Sequence, residues 1–76
     1  MALYRKKTLT EAQQWFSNGQ CPVWAQSAVR ECSTYFEIDT REGTLKGYPG
    51  DWIARGPAGE VYPIGDDIFK ATYEAD

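Results

Sequence analysis

Histidine is absent from the 76 residues, cysteine occurs twice and methionine once, and no apolar run is long enough to span a bilayer. Without histidine, Ser17, Ser27 and Ser33 lack the base of the usual serine triad, and Cys21 and Cys32 lack the usual activator of a cysteine nucleophile. Two cysteines also fall short of the ligand set of a structural zinc site. Basic residues near the N-terminus (Arg5, Lys6, Lys7) have no apolar stretch behind them, so neither a signal peptide nor a membrane segment is expected, and an intracellular protein with reduced thiols is. Glycine-rich Gly56-Pro57-Ala58-Gly59 lacks the lysine and following Ser or Thr of a phosphate loop and reads as a hairpin turn. These absences predict a non-enzymatic protein with no catalytic residues, no metal and no cofactor.

What is present is an ordinary globular composition, 42% hydrophobic and 25% charged, with a heavy aromatic load of three Trp, five Tyr and three Phe. Chains of this size rarely bury enough apolar surface without help, and large aromatic rings are one way to do so in a single domain spanning residues 1–76. The net charge of -3 is unevenly spread, +3 over residues 1–30 and -6 over residues 31–76. The acidic balance argues against nucleic acid or an anionic membrane as the partner.

Along the chain, residues 4–16 are open to two readings. Thr8-x-x-Glu11 resembles a capping box, with Leu9, Ala12 and Phe16 on one helical face, whereas Tyr4, Thr8, Thr10, Trp15 and Phe16 suit a strand ending at Ser17-Asn18-Gly19. Pro22 followed by a breaker-free stretch predicts a helix over about 22 to 31, which would hold the two cysteines about 15 Å apart, too far for a disulfide. Thr34 to Thr40 alternates as a strand with Phe36 and Ile38 on one face, Arg41-Glu42-Gly43 turns, and Thr44 to Tyr48 returns. Pro49-Gly50 suits a type II turn, Asp51 to Arg55 a further strand and Glu60 to Tyr62 its partner. Asp66 or Asp67 can then cap a short helix through Ile68, Phe69 and Tyr73, although Thr72 to Glu74 could close as an edge strand. The expected fold is therefore a small α+β domain: an antiparallel β-meander, one packed helix and a short C-terminal helical turn. Its expected core is Leu9, Trp24, Ala28, Phe36, Ile38, Trp52, Ile53, Val61, Ile68 and Phe69.

Two stretches carry a family resemblance. Pro49-Gly50-Asp51-Trp52-Ile53, Gly59-Glu60-Val61-Tyr62-Pro63, Asp67-Ile68-Phe69 and Thr72-Tyr73-Glu74, together with the opening Tyr4-Arg5-Lys6-Lys7, resemble small uncharacterised accessory proteins of tailed bacteriophages. Thr8 stands where that group usually has proline, and Ile64 where a cysteine often follows the Tyr-Pro pair. The resemblance brings no catalytic residues. It implies a viral origin and action in the cytoplasm of a bacterial host.

Among the acids, adjacent Asp66 and Asp67 read as helix-start residues rather than a catalytic pair, and Pro49-Gly50-Asp51 reads as a plain turn rather than an anion nest. The leading functional expectation is an accessory protein that binds and inhibits a bacterial host protein, in host takeover or counter-defence. Exposed Trp15, Tyr48 and Tyr62 would form the contact, with Asp66 and Asp67 meeting a basic partner, one version being a phosphate-mimicking acidic surface. The rival is a protein that sequesters a nucleotide or signal between Trp52, Arg55 and Tyr62, in one chain or in a cleft between the two chains of a homodimer. A minor virion component is the third reading.

Overall fold

A computed structural model describes residues 3, 9, 11–17, 19 and 21–74. Its elements in order are β1 (Glu11–Gln14), a 3-10 turn (Val23–Ala25), β2 (Val29–Glu31), β3 (Phe36–Thr40), β4 (Gly43–Gly47), β5 (Trp52–Arg55), β6 (Val61–Ile64) and α1 (Asp66–Thr72). The strands make two antiparallel sheets of three, ordered β1-β5-β6 and β2-β3-β4, and with α1 they form a small α+β fold. Of the residues read as a basic or strand-forming start, Tyr4, Arg5, Lys6, Lys7, Thr8 and Thr10 lie outside the described residues, as does Asn18 of the expected turn.

The ambiguous N-terminal segment is a strand where it is described. β1 pairs with β5 in the register Glu11 with Arg55 to Gln14 with Trp52. The main chain of Trp15 prolongs that ladder, its N–H donating to the Asp51 carbonyl at 2.8 Å and its carbonyl accepting from Gly50 N–H at 2.7 Å. This pairing divides the expected meander. Pro49-Gly50 does form the anticipated turn, with Gly50 at φ 95° and Asp51 N–H on the Tyr48 carbonyl at 2.8 Å, but β5 leaves it to pair with β1 rather than β4. β3 and β4 stay together in one sheet, β5 and β6 in the other.

The helix expected over about 22 to 31 is not formed. Pro22 leads into the 3-10 turn at Val23–Ala25, and Val29–Glu31 is strand β2, paired antiparallel with β3. Tertiary pairing decides the difference: a helix of that length is marginal by itself, while strand geometry sets Val29 opposite Ile38 and both inside the core. Cys21 and Cys32 are both free thiols all the same.

The core cluster is Trp15, Cys21, Ala25, Val29, Phe36, Ile38 and Ile53, with Trp24 and Val61 packed against it, so it draws on both sheets and on the turn between them. Period-two alternation places Ile53 with Val61 and Pro63 on the inner face of the β1-β5-β6 sheet, and Trp52, Ala54 and Tyr62 on the other, which α1 covers through Trp52 and Phe69. Of the expected core, Phe36, Ile38 and Ile53 are fully buried; Leu9, Trp24, Ala28, Trp52, Val61 and Phe69 are half-buried. Ile68 is 60% exposed, because the helix turns Asp66 and Phe69 toward the sheet, with Tyr73 following just after it.

Phe36 owes its burial to a missing side chain across the sheet. It faces Gly47 in the β3–β4 register, and a Cβ there would fall 2.1 Å from the ring's ζ carbon. Gly47→Ala must therefore displace a ring that has no free space, and overpacking of this kind costs about 1–3 kcal/mol. The expected result is a lower urea midpoint with an unchanged slope; an unaltered midpoint would show that the ring does not pack on β4 as described.

Candidate functional site

Trp15, expected on an exposed binding face, is instead 2% exposed and central to the core. Its ring meets Phe36 edge-on at 5.1 Å, and its indole N–H donates to the Glu31 carboxylate at 3.0 Å. The other oxygen of Glu31 accepts from the Cys21 backbone N–H at 2.9 Å. Burial, and after it the Glu31 charge, pushes the Cys21 thiol up to about 11, which keeps it protonated at neutral pH.

Asp66 is also drawn inward. Its Oδ1 accepts from the Trp52 indole N–H at 2.9 Å and the Gln14 amide at 3.3 Å, and its Oδ2 pairs with Lys70 at 3.1 Å. The indole hydrogen bond first, then Lys70, holds this carboxyl below the usual aspartate range. The cap of α1 is Gly65, with no side-chain cap bond, and both aspartates sit in the first turn, where their charge suits the helix dipole. Asp66 is the first helical residue rather than the cap, and its carboxylate is engaged by Trp52 and Lys70. Asp67 is exposed, its Oδ1 accepting from Ile68 N–H at 2.9 Å. Around this point Trp52 stacks on Phe69 at 3.9 Å and 9°, Phe69 leans on Tyr73 at 5.3 Å, and the Tyr62 hydroxyl is raised by burial, then by Tyr73 and Glu60.

The proposed ligand trio does not converge. Trp52 and Tyr62 lie on the helix side of their sheet, whereas Arg55 faces the other way, ion-paired with Glu11 and over the Trp24 ring at 5.3 Å. Tyr48, 54% exposed, sits at the β4–β5 turn, where its N–H donates to the Asp51 carboxylate at 3.0 Å, the hydrogen bond of a plain turn.

A groove of about 790 Å³ lies elsewhere, between the β3–β4 hairpin and the β5–β6 hairpin. Asp39 to Glu42 and Leu45 form one wall, Ala58 to Pro63 the other, so of the sequence-derived candidates it holds Tyr62 alone. Both hairpin turns are legible in the sequence. Their meeting is not, since it depends on β6 packing across β3 and β4. No protein-family model, curated protein or solved structure matches the chain.

The Asp66 network yields a pH prediction. A carboxyl whose folded pKa lies below its unfolded value stabilises the fold fully above the unfolded value, about 3.9, and that contribution disappears as pH falls through the folded value. The melting temperature of the wild type should therefore fall through this acid window more steeply than that of Asp66→Asn. Parallel curves would mean that the carboxylate does not anchor α1.

Proposed function

We propose that the protein is a non-enzymatic phage accessory protein that binds a bacterial host protein and inhibits it, in host takeover or counter-defence within the host cytoplasm. One observation carries the binding reading: the groove between the two hairpins, with apolar Leu45, Val61 and Pro63 beside Tyr62. A partly apolar concave surface bordered by charged side chains is the composition of a protein-contact site. The likeness of the Pro49 to Glu74 stretch and of Tyr4 to Lys7 to phage accessory proteins supports the origin. Among the described residues no helix is long and apolar enough to cross a membrane.

The test is capture from a lysate of the host bacterium, with wild type, Leu45→Ala and Val23→Ala compared as immobilised baits of verified fold. Leu45 lines the groove and Val23, 83% exposed in the 3-10 turn, does not. A dominant host protein should be held by wild type and by Val23→Ala, and retained about 5- to 30-fold less by Leu45→Ala, the range of a contact of about 1–2 kcal/mol. Nothing held by the folded wild type, or equal retention by all three baits, overturns the reading.

A further inference from the structure

The charges along the groove are not equivalent. Asp39, Glu42 and Glu60 line it, and Arg41 is its one cation among the described residues. Asp39 is already committed: the Arg30 guanidinium grips both its oxygens, at 2.8 and 3.0 Å, and the Thr44 hydroxyl donates to it at 2.7 Å. Glu42 and Glu60 are both exposed and make no ion pair among the described residues. Glu42 stands at the tip of the β3–β4 hairpin, and Glu60 closes the other wall with its side chain over the Gly56 backbone. Two carboxylates thus stand on opposite walls, with Leu45, Val61 and Pro63 also lining the groove.

Leu45 belongs to a strand whose outer edge is unpaired among the described residues. β4 is an outer strand of the β2-β3-β4 sheet, and the residues Thr44, Leu45 and Lys46 along it are exposed. An outer strand offers backbone donors and acceptors to an added chain in extended form. β6, the outer strand of the other sheet, contains Pro63, which has no N–H to offer.

We infer that the groove takes an extended peptide segment of a partner protein in which lysine or arginine alternates with apolar residues. The cationic side chains meet Glu42 and Glu60, and the apolar ones rest on Leu45, Val61 and Pro63. Charge complementarity selects this occupant: Glu42 and Glu60 outnumber Arg41, so the groove is net negative and disfavours an acidic peptide and the phosphates of a nucleic acid. The inference rests on the binding reading above and names the chemistry of what is bound.

The probes are a fluorescent synthetic peptide alternating lysine and leucine, and its counterpart with glutamate for lysine. Fluorescence anisotropy should show saturable binding of the lysine peptide, weakened by added salt, and none of the glutamate peptide at the same concentrations. The double variant Glu42→Gln and Glu60→Gln keeps side-chain size and should bind the lysine peptide about tenfold more weakly, with an unchanged melting temperature. Backbone amide shifts on titration should concentrate at residues 39–45 and 58–63. Equal binding of both peptides, unchanged affinity of the double variant, or shifts centred elsewhere overturns the inference. A host protein captured through Leu45 while the lysine peptide fails to bind would overturn the occupant and leave host binding standing. Lysine-peptide binding with no captured host protein would do the reverse.

Discussion

A carboxylate shared between an indole and a backbone amide holds the two sheets in their relation. Glu31 ends β2, yet its oxygens serve Trp15, which follows β1 in the other sheet, and Cys21, in the loop between them. An indole N–H buried without an acceptor would cost about 1–3 kcal/mol, so the largest side chain of the core can be enclosed only where such an acceptor arrives. The main chain of Trp15 meanwhile closes the β1–β5 ladder against Gly50 and Asp51. Phe36, edge-on to the indole and seated over Gly47, depends in turn on where that ring lies.

The same device recurs at the other side of the β1-β5-β6 sheet. Trp52 stacks flat on Phe69 and gives its indole N–H to Asp66, which fastens a helix of seven residues that could not persist alone. A chain with so small a core gains from aromatic rings that bury area and still carry a polar edge, because each edge then fixes an orientation. The resulting order, sheet against sheet against helix, turns the β3–β4 and β5–β6 hairpins toward each other. The groove is what their turns leave open.

Local chemistry was readable where it is sufficient by itself. Alternation marks Phe36 and Ile38 as an inner face, Pro49-Gly50 specifies its turn, and Gly56 to Gly59 closes a hairpin with Gly59 N–H on the Gly56 carbonyl at 3.0 Å. The stretch from Pro22 to Glu31 misleads for the complementary reason: nothing in it breaks a helix, and what makes part of it a strand is the pairing of Val29 with Ile38 and Glu31 with Phe36. Trp15 was expected outside because its acceptor lies sixteen positions away in a segment read as helical. Tyr62 could be singled out as a candidate, whereas its companions in the groove, Leu45 and Glu42, lie on a different hairpin and have no sequence pattern linking them to it.

Charge shows how far composition and surface can part. The surplus of acids after residue 30 suggests an extended negative face, even a phosphate mimic. In the fold, Glu31 and Asp66 serve indoles, Asp51 a turn amide, Asp39 and Glu37 the Arg30 guanidinium on the outer face of the β2-β3-β4 sheet. Each of these carboxylates has its charge directed at a group within the chain, and a partner would have to displace that group to use it. The Arg30 pairing first, and then the Thr44 hydroxyl, hold Asp39 well below the ordinary aspartate range. Among the described residues, the acids lining the groove without an ion pair are Glu42 and Glu60, one on each hairpin. At the groove the acidic surplus thus comes down to two carboxylates on separate hairpins, with Arg41 beside one of them, and for the peptide inferred above selection would follow the spacing of its cations rather than its total charge.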